Sequence, residues 1–522
     1  MKTPTDQPDA MSTPVAAAPP EGLANANSQP LLQYKDLRDW IAQAERLGEI
    51  RTASGLSWQE DIGMATELLQ HDETSPSVIF DKIAGSLPGS RVLVNFFAGK
   101  RQNMTLGFPL ELTKPELSEA VRVNYMSQLK RIPPKFVDDG PIFENVMMGD
   151  EIDVTQFPTP IWHKQDGGRY VGTGSFNVTR DPEEGWVNCG TYRVMIHDKT
   201  SVGFYISPGK QGRIHRDKYA ARGEPMPVAI VAGGDPMAFL MGGMEIPYGI
   251  SEYEVVGGIR GEPVEVVRGR VTGLPIPANA EIVIEGFVEP GKVRSEGPFG
   301  EWTGYYGTES HAEPVMDIKA IYYRNNPILL GCPPQSPPDE STRYRSLTRS
   351  AMLREAIQKA GVPDVTGAWA HEVGGARLLL GVAIKQRYPG HARQAGHITC
   401  QCHLGAYAGR YVIVVDDDID VSNLNELMWA VCTRSDPATS IDIIKNAWST
   451  PLDPRIEPER RERKDFTNNR AIIDACRPWH WRDKFPKVNM PTLAEKRLAR
   501  SKFGYLLAQG FRGARHNICQ SG

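Results

Sequence analysis

Trp186-Val-Asn-Cys-Gly-Thr-Tyr-Arg-Val-Met-Ile-His197 is dense in β-branched and aromatic residues, the composition of extended chain on a pleated, half-buried surface. Similar runs follow at short intervals: Val202 to Ile206, Val228 to Val231, Val264 to Val271, Glu281 to Val288 and Val315 to Tyr323. Gly and Pro punctuate the gaps between them. Short strands separated by turn residues predict a β-barrel or sandwich over residues 145–330.

Outward from this segment the texture changes. Towards the N-terminus, Leu37, Trp40, Ile41, Ala44 and Leu47 fall at helical spacing. Val78-Ile-Phe and Val92-Leu-Val-Asn-Phe read as short buried strands, and residues 114–131 as helix. After Pro337-Pro338 the alternation returns: Leu347 to Ala360 as helix, Leu378 to Lys385 and Tyr411 to Val415 as strands, 421–432 as helix. The fold class expected is α+β, with a β-barrel between two α/β domains. The expected boundaries are a disordered tail at 1–30, an N-terminal α/β domain at 31–144, the barrel at 145–330, a C-terminal α/β domain at 331–495, and a C-terminal helix and tail at 496–522, a candidate for oligomerisation.

The 522 residues carry a net charge of -4, which gives no electrostatic case for a nucleic-acid partner. No apolar run approaches the ~20 residues of a membrane span, and the N-terminus lacks the basic-then-apolar pattern of a signal peptide. The seven cysteines are odd in number and scattered, so a reducing cytoplasm is expected. Cys400-Gln401-Cys402-His403 has no second Cys/His pair at zinc-site spacing. Pro208-Gly209-Lys210-Gln211 lacks the Ser or Thr of a phosphate loop that holds magnesium. In Asp416-Asp-Asp-Ile-Asp420 the acids read as a strand end followed by a helix N-cap.

Three groups of residues carry candidate chemistry. In Glu296-Gly-Pro-Phe-Gly-Glu301, the Gly and Pro residues break regular structure, so two acids can fold towards one point. Carboxylates that converge in a cavity retain a proton, as a general acid at neutral pH requires. The alternative is a hairpin with two solvated acids, and the segment alone leaves both open. Asn188 and Arg193 are an odd number of residues apart, which on one flat strand sends them to opposite faces. Gly190 between them marks a bulge or a close approach of backbone to ligand. The fork of Arg193 suits a substrate carboxylate, or a surface acid. Asn188, His215 and Glu252 form a mixed donor set that suits Mn²⁺ or Mg²⁺, although spacing alone does not single them out.

Taken together, Glu296 to Glu301, Asn188-x4-Arg193 with His197-Asp198-Lys199, Pro337-Pro338-Asp339-Glu340, Asp166-Gly167-Gly168-Arg169-Tyr170, Arg324-Asn325-Asn326-Pro327 and Asp416 to Asp420 resemble the UbiD family of decarboxylases, over about residues 34–490. The resemblance implies a central split β-barrel like that of flavin reductases. It implies prenylated FMN as cofactor, with Mn²⁺ (or Mg²⁺) and K⁺ at its phosphate, and a flavin prenyltransferase as supplier. Asn188, His215 and Glu252 would hold the divalent metal. Gly190, Thr191 and Tyr192 would line the flavin, and Met241, Gly242 and Met244 would wrap the phosphate and potassium. His403 stands where the family carries a flavin-contacting lysine, Cys189 where an aromatic follows the metal asparagine, and Ile214 where a glutamine precedes the metal histidine. Arg193, Glu296 and Glu301 would be catalytic. The implied reaction is reversible, non-oxidative decarboxylation of an aromatic or α,β-unsaturated acid, free or as a CoA thioester such as phthaloyl-CoA, by a homo-oligomer (dimer or hexamer). The rival readings are a subunit of an aryl carboxylase complex and an FMN-dependent oxidoreductase.

Overall fold

The computed structural model describes residues 32–127, 130–307, 310–489, 491 and 493–509, so the tail expected at 1–30 lies outside the described residues. It is a mixed α+β protein with several sheets. Its contacts separate into two units, Met1–Thr348 and Arg349–Gly522.

The first unit opens with the Leu37–Arg46 helix, capped by Asp36, whose carboxylate accepts from the Asp39 amide at 2.9 Å. Leu37, Trp40, Ile41 and Ala44 are its buried face, as their spacing predicts, whereas Leu47, expected on the same face, is the C-cap and exposed. The Trp40 ring meets Phe96 edge to face at 6.1 Å, and its Nε1 donates to Thr105 Oγ1 at 2.9 Å. From the same helix, Arg38 reaches the buried Glu281 (Nε to Oε1, 2.8 Å), which Arg324 also approaches. A four-stranded sheet runs Ile50–Ser54, Ser77–Asp81, Arg91–Val94, Ile328–Gly331, so the chain returns to its first sheet after the strand-rich segment.

The eight-stranded sheet carries the candidate site. Its order is Val187–Gly190, Ser175–Arg180, Met226–Ala232, Ile282–Glu296, His311–Tyr323, Ser201–Tyr205, Arg193–Asp198, with Asn145–Met148 paired to the His311–Tyr323 strand. Val194, Phe204, Val228, Ile230 and Met316 fill its core. The first and last strands of this order are joined in sequence by Thr191 and Tyr192 alone. A link that short reaches no more than about 11 Å, so the sheet bends until its two ends meet there. The stretch from Trp186 to His197, expected as one run, is therefore two strands on opposite ends of the order. Tyr192 turns inward between them: its hydroxyl accepts from Asn188 Nδ2 and from the Gly212 amide, each at 2.9 Å.

Helices Gln211–Ala221, Pro236–Gly242 and Glu252–Arg260 lie within the segment that reads as strands and turns. Every residue of Pro236–Gly242 is buried, and a helix apolar all round has no periodic face to read.

In the second unit a five-stranded sheet runs Val365–Ala370, Leu379–Ile384, Tyr411–Asp416, Thr467–Ala475, Ile441–Trp448. Asp416 ends its strand as expected, but the acids after it do not cap the next helix. Asp416 Oδ2 pairs with Arg434 (3.0 Å) and Arg477 (3.1 Å), whereas Asn423 caps the Leu424–Arg434 helix through the Asn425 amide at 3.1 Å. Arg460 pairs with Asp465 at 2.9 Å, and Arg461 donates to the Pro451 and Ile456 carbonyls at 2.7 and 3.0 Å. Among the described residues no cysteine is disulfide-bonded, and no helix is long and apolar enough to cross a membrane.

Candidate active site

Arg193 begins the Arg193–Asp198 strand, and Glu296 ends the Ile282–Glu296 strand. Glu301 follows in the turn, where its amide donates to the Tyr305 carbonyl at 3.0 Å. The three side chains form one chain of contacts. Arg193 Nη2 donates to Glu296 Oε2 and Nη1 to Glu301 Oε1, both at 2.6 Å. The guanidinium also lies over Tyr205 and Phe299, 4.4 and 5.4 Å from the ring centroids. Glu296 is 1% exposed and Glu301 9%, which decides against a solvated hairpin.

Burial chiefly, opposed by Arg193 and aided by Glu296, raises the Glu301 carboxyl above the usual range. Burial disfavours the Arg193 charge too, but Glu301 and Glu296 outweigh it and hold the guanidinium protonated. One cation facing two buried acids leaves room for one extra proton, and Glu301 is raised to hold it. Arg193 Nε and Glu296 Oε1 are buried without a partner.

Behind the turn lies the loop Asp166-Gly-Gly-Arg-Tyr170. The Gly167 amide donates to the Pro298 carbonyl at 2.8 Å. A Cβ at Gly167 would stand 1.9 Å from the Gly297 carbonyl oxygen, so only glycine permits this approach. Arg169 anchors the loop by donating to the Thr159, Thr155 and Phe157 carbonyls at 2.9, 2.9 and 2.5 Å.

The mixed donor set is linked through a residue that the sequence reading missed. Asn188 Nδ2 donates to Thr179 Oγ1 at 3.3 Å, and Thr179 Oγ1 lies 3.0 Å from His215 Nδ1. Glu252 joins them by accepting from the Cys189 amide at 2.6 Å. His215 Nε2 is buried and lacks a hydrogen-bond partner; its nearest acid, Asp181, is 3.7 Å away. Burial, with Lys218 adding to it against Asp181, pushes His215 down to about 4, so the ring is neutral. With Nδ1–H donating to Thr179, Nε2 keeps a lone pair free. Burial pushes Glu252 up to about 8, against its backbone hydrogen bonds and the charge of Lys210. A buried imidazole lone pair, a buried acid and an amide fit a divalent cation. Among the described residues no cluster of three His, Cys, Asp or Glu side chains is placed to hold a metal, and the third donor of this set is an amide.

The expected flavin-lining segments also meet: the Thr191 amide donates to the Gly242 carbonyl at 3.1 Å, and Met241 and Met244 are buried beside it in sequence. His403 begins the His403–Ala406 helix of the second unit. Thr179 had a legible signal. Ser175, Asn177 and Thr179 alternate with Phe176 and Val178, and all are buried, so one face of a buried strand is polar. Asn177 on that face donates to the Gly190 carbonyl at 3.0 Å.

Residues 135–337 match the family model of the 3-octaprenyl-4-hydroxybenzoate carboxy-lyase (UbiD) Rift-related domain, and residues 344–475 that of its C-terminal domain. Pyrrole-2-carboxylic acid decarboxylase of Pseudomonas aeruginosa is 31% identical over 85% of this chain and 91% of its own length. Phenolic acid decarboxylase of Bacillus subtilis is 28% identical over 86% of this chain and 93% of its own. Among solved structures, vanillic acid decarboxylase of Sedimentibacter hydroxybenzoicus in an open form gives a TM-score of 0.78 at 28% identity, covering 91% of this chain and 99% of that one. A UbiD-class enzyme of Pelotomaculum thermopropionicum in complex with FMN gives 0.77 at 25% identity, covering 89% and 99%.

Proposed function

The chain belongs to the UbiD family of carboxy-lyases, and on that premise we propose that it decarboxylates a small aromatic acid, reversibly and without net oxidation, using prenylated FMN. The observation that carries this reading is the Glu296–Arg193–Glu301 chain of buried contacts.

CO2 leaving an sp² carbon leaves an electron pair that no side chain can hold; prenylated FMN, when bound, supplies the sink. The protein's part is orientation and proton delivery. Arg193, its charge fixed by two acids, orients the substrate carboxylate. Glu301 enters the cycle protonated and gives its proton to the carbon that lost CO2. The carboxylate left on Glu301 is then stabilised by Arg193 at 2.6 Å until solvent restores the proton. Glu296 keeps Arg193 in place and favours the acid form of Glu301.

Asn188, His215 and Glu252 would hold Mn²⁺ or Mg²⁺, with Gly190, Thr191 and Tyr192 on the flavin and Met241, Gly242 and Met244 at its phosphate and potassium. The sheet whose ends meet at Thr191-Tyr192 supports a flavin-reductase-like split barrel. Relatives named for pyrrole-2-carboxylic and phenolic acids favour a single-ring free acid over a CoA thioester. The test is expression with a flavin prenyltransferase, then a CO2-release screen over pyrrole, phenolic and cinnamic acids and aryl-CoA esters. Release that depends on the prenyltransferase is expected. Nicotinamide oxidation with no release from any acid would overturn the reading.

A further inference from the structure

His163 is a half-buried imidazole that the proposed reaction does not use. Its Nε2 lies 2.7 Å from the Pro334 carbonyl oxygen, and its Nδ1 2.9 Å from Asp166 Oδ2. A carbonyl and an ionised carboxylate both only accept, so each ring nitrogen carries a proton and the ring is a cation. Asp166 in turn holds the catalytic turn: its Oδ1 accepts from the Gly300 amide at 3.0 Å, one residue before Glu301. The ring itself packs beneath that peptide. A Cβ on Gly300 would stand 2.7 Å from His163 Nδ1, and the Phe299 ring meets the imidazole edge to face at 5.5 Å.

We propose that His163 and Asp166 are positioning residues, a partly buried ion pair that fixes the Gly300 peptide and so holds the Glu301 carboxyl against Arg193. This rests on the reading of Glu301 as proton donor. The charged and titratable groups facing His163 are Asp166 on its own loop, Glu67 on the Asp61–Gln70 helix, Tyr306 (6.4 Å between rings) and Glu301. Burial disfavours the imidazolium, but Asp166, the Pro334 carbonyl and Glu67 raise it above the usual histidine range. Its charge favours the ionised form of Glu301.

Two variants separate positioning from packing. His163→Phe removes the cation and leaves the Asp166 carboxylate, so Glu301 holds its proton to higher pH. Asp166→Asn leaves no added negative charge and removes the ion pair that holds the Gly300 peptide. In enzyme with parental flavin content, kcat should fall at least tenfold in both. The alkaline limb of the kcat–pH profile should move up in His163→Phe and not in Asp166→Asn. If His163→Phe does not fold, His163→Gln carries the same expectation. Rates within twofold of the parent, or limbs that stay put or move together, would overturn the proposal. Failure of the underlying reading shows elsewhere: the parent releases no CO2, or Glu301→Gln turns over like the parent.

Discussion

Arg193 Nη1 lies 2.6 Å from Glu301 Oε1, and the other arm of the same guanidinium holds Glu296 Oε2 at the same distance. Two acids five residues apart in one turn thus share a single planar cation that comes from a distant strand. Geometry of this kind needs a fork, which lysine lacks. Arg193→Lys should fold and retain flavin, yet lose about a hundredfold or more in kcat/KM, measured by CO2 release. A variant within threefold of the parent would show that a point charge suffices.

The pH dependence follows from the same contacts. Burial and Glu296 raise the Glu301 carboxyl, and Arg193 lowers it. A raised acid stays protonated, and so competent to donate, until pH climbs through its elevated pKa; activity is lost above that point. Glu296→Gln removes one raising influence, so the alkaline limb of kcat should shift to lower pH. An unmoved or upward-shifted limb would contradict this electrostatic account.

The donor set yields a prediction about loading. Thr179 lies 3.3 Å from Asn188 and 3.0 Å from His215, and its hydroxyl fixes which His215 nitrogen faces the proposed metal. Loss of such a supporting group costs roughly 10–100-fold in metal affinity. Thr179→Val should lower the manganese and flavin content of purified protein, and His215→Ala should lower both further. Parental metal and flavin in His215→Ala would remove this residue from the site.

Much of the fold can be read from local chemistry. The Leu37–Arg46 helix shows itself through the spacing of Trp40 and its neighbours, and the long strands through their β-branched runs. The buried Pro236–Gly242 helix does not, because no face differs from another. Nor does the split of Trp186 to His197 into two strands, which depends on where distant partners pair. In the site, Arg193, Glu296 and Glu301 stand out as motif residues, and the contacts among them join segments 108 positions apart in sequence. Thr179 shows in the sequence only as part of a polar alternation; the contact that gives it a role reaches His215 36 positions away. His163 pairs with Asp166 three positions on, but the Gly300 peptide that Asp166 holds lies 134 positions beyond it.

CO2 release by Glu301→Gln, set against the parent at equal flavin content, bears most directly on the proposed reaction. Glutamine keeps the size and polarity of the side chain and removes the transferable proton. Turnover should fall by about two to four orders of magnitude with flavin retained. Parental turnover in that variant would contradict proton delivery by Glu301, and with it the role given to the Glu296–Arg193–Glu301 chain.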